Sequence, residues 1–259
     1  WHDKNNFFIE GNIADKVNDN WDDWKTHLHN LDRLFIYGGE PLINFEVLKI
    51  LDYLVESGLS KNITLFLNTN GTVLNEKIIN VFKQFKEVFL YFSIDDVFER
   101  YEYERWPLKH DNIFRDLKAF HDVYDETGNI HATLYSSISI FNVLYLQEIM
   151  DEFRKFPKFK INLDNLIHEP KYLSIYDLPT SIKGQIVNVL NKVDWNQNWE
   201  MPNNYKDNIS KFLYLYERDY NCFEYIENLD VKLGFDDRRR NQEWKKTFPK
   251  LHNLLLQGI

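Results

Sequence analysis

Cysteine is almost absent: Cys222 is the single one in 259 residues. That excludes an internal disulfide and argues for a reducing compartment, the cytoplasm. Long apolar runs are missing as well. No stretch approaches the roughly 20 residues that a membrane-spanning helix needs, and no leader-like segment opens the sequence, so the chain reads as soluble and without a membrane partner. Basic runs stop at the triplet Arg238-Arg239-Arg240, within a net charge of −9. Broad nucleic-acid binding needs many clustered cations to neutralise phosphates, and this composition excludes it. There is no nucleophile elbow, no phosphate-binding loop and no histidine metal motif. His27 and His29 lie two apart, on different faces of a helix, while His110, His121 and His131 are scattered.

What is present is an ordinary globular balance, 44% hydrophobic and 27% charged, sufficient for one large domain or a domain with an appendage. The most informative stretch is Arg33 to Pro41. Leu34 to Tyr37 is a short apolar run suited to a strand buried on both faces. It breaks on Gly38, Gly39, Glu40 and Pro41. Paired glycines let a ligand approach the backbone, and proline fixes φ ahead of the next helix. Glu40 therefore stands on a stiff loop after a strand, where α/β folds place their chemistry. A carboxylate there suits a ligand's ammonium group.

Apolar spacing predicts a helix over 22–31 and another over 44–56, capped by Asn44 and ended by Gly58. A strand over 63–67 closes on Asn68-Thr69-Asn70-Gly71, followed by a helix over 75–85. A third strand over 87–94 ends on Asp95-Asp96, and 97–109 reads as a long loop. A helix over 111–125, a strand over 130–140, a helix over 143–153 and a strand over 159–163 continue the alternation. From His168 it stops: an extended stretch precedes helices over 180–193, 207–220, 223–228 and 242–256, the last interrupted by Pro249, with a polar linker over 194–204. Residues 1–20 read as a loop, 21–167 as an alternating domain and 168–259 as a helical extension.

A strand–helix rhythm of this kind builds a parallel sheet or barrel whose right-handed crossovers bring all strand carboxyl ends to one rim. Glu40, Asn68, Thr69, Asn70, Ser93, Asp95 and Ser136 or Ser137 fall at such ends. Polar strand ends over apolar strand bodies mark the candidate site.

Gly38-Gly39-Glu40-Pro41, then Asn68-Thr69-Asn70-Gly71, then Ser93-Ile94-Asp95 resembles, in order and spacing, the second to fourth strands of the radical S-adenosylmethionine (SAM) enzymes. Glu102 to Pro107, and the tail from Leu229-Asp230 through Arg238-Arg239 to Leu251, resemble the phage-type, twitch-domain-containing members. The resemblance covers most of residues 21–259. It implies an α/β fold, a partial parallel (β/α) barrel with a C-terminal helical extension. It also implies an enzyme that cleaves SAM reductively at a [4Fe–4S] cluster and abstracts a substrate hydrogen. Carried over by position, Gly38, Gly39 and Pro41 shape the turn that meets SAM's methionine part, and Glu40 takes its ammonium group. Thr69 and Asn70 line the floor, and Ser93 and Asp95 lie near ribose or carboxylate. Asn68, Arg105 and Ser136 face the substrate, which is a peptide, a nucleoside or a small metabolite. An electron donor such as flavodoxin or ferredoxin is the implied partner.

One departure is large. The resemblance calls for three cysteines in Cys-x-x-x-Cys-x-x-Cys spacing after the first strand, and none is present. Cys222, in the helical tail, cannot replace them and reads as a small buried apolar residue. Because the chain opens at Trp1, the first strand and the cluster loop are expected upstream of the residues given. The alternatives are a non-catalytic SAM-barrel binding or scaffold protein, and an unrelated hydrolase or isomerase using Glu40 and Asp95 as acid and base.

Overall fold

A computed structural model of the chain describes residues 6–9, 21–200, 204–215 and 221–258. For residues 6–9 and for Asp23 it describes the backbone alone. The described elements form a sheet whose strands follow chain order. They are Asn6–Ile9 (β1), Arg33–Ile36 (β2), Thr64–Thr69 (β3), Glu87–Ser93 (β4), Ile130–Ile138 (β5) and Lys160–Leu166 (β6). Strands β1 to β4 pair in parallel, with Phe8 opposite Phe35, Phe35 opposite Phe66 and Phe66 opposite Phe89. Sequential parallel order with helices between strands is the arrangement of a partial (β/α) barrel.

Sequence predicts no strand before Arg33 and a loop over residues 1–20. The structure has one, β1, four residues long and fully paired to β2. A strand this short gives no period that sequence can detect, and its pairing is a tertiary event. The remainder of that loop assignment, 1–5 and 10–20, lies outside the described residues, as do 201–203 of the linker and 216–220 of the helix expected over 207–220.

Clustering by contacts divides the chain into two compact units. The first comprises residues to Ser93, with Ile113–Leu134 and Lys158–Lys160. The second comprises Ile94–Asn112, Tyr135–Pro157 and Ile161 onward.

In the first unit, period-two alternation sends Leu34, Ile36, Leu65, Leu67, Val88 and Leu90 to full burial. Helices Trp21–Leu28 (α1), Phe45–Glu56 (α2) and Glu76–Phe82 (α3) add Leu28, Val47, Ile50, Leu54 and Phe82 to its core. Asn44 caps α2 by accepting from the N–H groups of Glu46 and Val47, and Asn75 caps α3 by accepting from Ile78. On the other strand face Phe35, Phe66, Phe89 and His131 stack as a ladder with centroids 4.5–4.9 Å apart.

The second unit begins with Phe98–Glu104 (α4), where sequence predicts a loop. Propensity is divided, since three of its seven residues are aromatic and disfavour a helix while its three glutamates and Arg100 favour one. Local contacts and burial decide instead: Asp96 pairs with Arg100 four residues on, and Tyr101 and Tyr103 are buried. Helix His110–Val123 (α5) straddles the two units, and Leu146–Phe153 (α6) and Thr180–Leu190 (α7) sit close to expectation. The extended stretch after His168 contains two single 3₁₀ turns, Lys171–Leu173 and Ile175–Asp177.

Helix Tyr205–Leu213 (α8) precedes a long one, Cys222–Arg240 (α9), where sequence predicts only 223–228. A capping box between Asn221 and Glu224 starts α9, and its last turn carries Arg238, Arg239 and Arg240, favourable against the helix dipole. Trp244–Thr247 (α10) and Pro249–Gln257 (α11) follow. The segment Glu102–Pro107 and the end of α9 clasp one another. The Tyr103 hydroxyl donates to the buried Asp237 carboxylate at 2.6 Å, and Trp106 faces the Arg239 and Arg240 guanidiniums at 5.3 Å. Tyr103→Phe leaves a buried carboxylate oxygen short of a donor. It is expected to cost about 1.5–3 kcal/mol in urea unfolding at unchanged m-value.

Candidate functional site

The turn after β2 adopts a conformation that its residues dictate. Gly38 and Gly39 have φ of +93° and +44°, the left-handed region that glycine enters freely. An added Cβ would meet no heavy atom of the described residues within 4 Å at either position. Gly39→Ala should therefore fail through backbone strain rather than through clash. The expected loss is about 1–2 kcal/mol in chemical denaturation.

Glu40 follows as the cap of a single 3₁₀ turn, Pro41–Ile43, its Oε1 accepting from the Leu42 N–H at 3.1 Å. The same carboxylate accepts from Thr69 Oγ1 at 2.9 and 3.0 Å and from the Asn70 N–H at 2.6 Å. Thr69 Oγ1 in turn accepts from the Gly71 N–H at 3.0 Å. Glu40 thus ties the end of β2 to the end of β3. It has no ion-pair partner among the described residues, and it stays half-buried. The carboxylate is held rigidly, yet its charge is not neutralised. A positively charged group is the complement it lacks.

Of the other residues singled out from sequence, Asn70 uses its Oδ1 on the Thr72 N–H and hydroxyl, closing a turn. Asn68 and Ser93 are half-buried on the less covered face of β3 and β4.

In the second unit, the Asp95 carboxylate accepts from the Ser137 N–H at 2.9 Å and pairs with Arg105 at 2.5 Å. Sequence names both residues for ligand roles, and the structure brings them to each other. Ser136 is fully buried and donates its hydroxyl to the Asp95 carbonyl at 3.0 Å, so it fixes the loop rather than presenting a free group.

Sequence reasoning misses the supports of Asp95. Buried Asn142 donates to the carbonyls of Asp95 and Ser137, at 2.9 and 2.6 Å. Asp96, fully buried, receives Arg100 Nε on both oxygens at 2.9 and 3.0 Å and the Val97 N–H at 2.7 Å. Arg100 continues to Glu148 at 2.8 Å, and Glu148 to Lys250 at 2.5 Å. Burial pushes the Asp96 carboxyl up to about 7, against the opposing pull of Arg100 and the Val97 N–H. Burial also raises Glu104 well above the carboxylate range, reinforced by the charges of Asp96 and Asp95. The four-residue spacing of Asp96, Arg100 and Glu104 is the one signal that could have pointed to this network.

A parallel sheet in chain order, with a rigid carboxylate beside two left-handed glycines after its second strand, defines a class, and comparison with known proteins agrees. Residues 22–156 match the family model of the Radical SAM superfamily, 135 of 259 residues, and the chain belongs to that superfamily. A Methanocaldococcus jannaschii protein named as a candidate glycyl-radical enzyme activating enzyme is 24% identical over 227 residues, 83% of this chain and 69% of that protein. Streptococcus suis SuiB bound to S-adenosylmethionine superposes with a TM-score of 0.44 and 14% identity, over 71% of this chain and 40% of SuiB. The protein anSMEcpe with AdoMet and the Cp18Cys peptide gives 0.44 and 17%, over 64% of this chain and 48% of its own. The chain thus spans less than half the length of either solved structure.

SAM and an iron–sulfur cluster are the groups this family implies, and this chain's residues treat them differently. The Glu40 turn fits the aminoacyl end of SAM, with its unneutralised carboxylate and the Cβ-free backbone of Gly38 and Gly39. The cluster does not fit. Cys222 is fully buried at the start of α9, 3.5 Å from Ser181 Oγ. No group of three metal-ligating side chains occurs among the described residues.

Proposed function

We propose that this chain is the SAM-binding part of a radical SAM enzyme and takes SAM's ammonium group on Glu40. The observation that carries the reading is the Glu40 carboxylate, fixed by Leu42, Thr69 and Asn70 and left without a cation among the described residues. Gly38 and Gly39 offer backbone to the methionine part, and Pro41 holds the turn. Thr69 and Asn70 hold the carboxylate in place. Ser93 and Asp95 are assigned to ribose or carboxylate, and Asn68 and Arg105 to substrate. Ser136 serves by fixing Asp95. When bound, SAM supplies the 5′-deoxyadenosyl group that abstracts a substrate hydrogen in this family.

The substrate is a peptide, a nucleoside or a small metabolite. The M. jannaschii relative's name, an activator of a glycyl-radical enzyme, favours the peptide or protein end of that range. A flavodoxin or ferredoxin is the expected electron donor. The second reading, a binding protein that takes SAM without cleaving it, is favoured by the single cysteine.

Titration calorimetry with SAM, followed by a 5′-deoxyadenosine assay on the reconstituted product of the complete reading frame, tests both. Binding with 5′-deoxyadenosine release supports the enzyme, and binding without it supports the second reading. Absence of SAM binding refutes both.

A further inference from the structure

Asp95, which the proposed function assigns to SAM, stands in a chain of charges that runs from fully buried Asp96 to half-exposed Lys250. Four carboxyls, those of Asp95, Asp96, Glu104 and Glu148, face three cations, Arg100, Arg105 and Lys250. Arg100 is bound by Asp96 and shared with Glu148, which also holds Lys250. Arg105 is bound by Asp95. Glu104 is left over: its Oε1 is buried with no hydrogen-bond partner among the described residues. A buried carboxylate in that position costs several kcal/mol, and a proton removes the cost. In the adjacent residue, Arg105 Nε is likewise buried and without a partner. An acceptor and a donor left unmatched in adjacent residues mark a pairing that strengthens when Glu104 is charged.

We propose that Glu104 is a positioning residue: carrying a proton, it leaves the Arg105 guanidinium to Asp95, and on releasing it, it draws that guanidinium away. The raised affinity of Glu104 for its proton, from burial and from the charges of Asp96 and Asp95, agrees. The other groups facing this cluster are Tyr101, whose hydroxyl burial raises to about 12, and the ring of Tyr145, which lies against Arg100 and Lys250. Neither hydroxyl titrates in the neutral range; Asp96, held at about 7, does, and the Glu104→Gln profile reads its contribution separately. Freed of Arg105, the Asp95 carboxylate can accept from a ligand hydroxyl, so SAM affinity should rise with pH.

The inference rests on the reading that Asp95 meets SAM, and two measurements on the full chain separate them. Calorimetry with SAM from about pH 6 to about pH 9 should show wild-type affinity rising on the order of fivefold, while Glu104→Gln stays at the low-pH value. A merely structural Glu104 would shift both profiles together, and parallel profiles overturn the proposal. If neither protein binds SAM, the reading of the site falls, and infrared spectroscopy with ¹³C-glutamate labelling decides the Glu104 proposal. A protonated carboxyl band in the wild type at neutral pH that Glu104→Gln lacks supports it, and the absence of that band overturns it.

Discussion

Glu40→Gln should weaken SAM binding by at least about 2 kcal/mol, roughly thirtyfold in Kd by calorimetry. Two losses act together. The substitution removes the negative charge that a ligand ammonium group requires. It also puts an amide N–H₂ where one carboxylate oxygen now accepts, facing the Asn70 N–H or Leu42 N–H, so that two donors confront each other. The second effect loosens the link between β2 and β3 and should appear as a stability loss of about 1–2 kcal/mol. Thr69→Val is the useful comparison. It deletes one donor to Glu40 but keeps the charge, and should cost about 1 kcal/mol of stability with SAM affinity changed far less.

The largest effect on stability is expected from Arg100→Ala. Asp96 is fully buried, and Arg100 is the cation on its carboxylate. Removing one partner of a buried ion pair strands the other, at a cost of about 3–5 kcal/mol. The cost depends on pH with a definite sign. Asp96 holds its proton up to about 7 in the folded protein, against 3.8 for an ordinary aspartate, so the folded state binds more protons between those values. Its contribution to stability therefore falls as pH rises through that window and is level above it. Without Arg100 the proton is held still more strongly. Denaturation of Arg100→Ala should show the smallest deficit near about pH 5 and the full deficit above about pH 8. A deficit independent of pH would mean that Arg100 acts only by packing on Tyr145, whose ring lies 4.0 Å from its guanidinium carbon.

The sequence declares the first unit more openly than the second. Asn44 and Asn75 cap the helices expected of them, the alternation in Leu34 to Ile36 and Val88 to Phe92 buries the side chains it should, and Gly38-Gly39-Glu40 forms the turn its composition requires. Those features are local, and local chemistry is what a sequence displays. Helix α4 was not legible because its stability comes from Asp96–Arg100 pairing and from burying Tyr101 and Tyr103. The longer α9 was hidden by its polar composition, which reads as loop until the capping box and the Tyr103–Asp237 contact are seen. The site divides in the same way. Glu40 stands out through its glycines, but that Thr69 and Asn70 bind its carboxylate across about thirty residues emerges only from the fold. Asp95 and Arg105 were each visible as candidates, and their mutual pairing was not.

Amide NMR shifts on titrating the chain with SAM report most directly where SAM's ammonium group binds. The amides of Gly38, Gly39, Leu42 and Asn70 should move together and saturate with one affinity, and in Glu40→Gln they should stay in place. Saturable binding that leaves those four amides unmoved in the wild type would contradict the account.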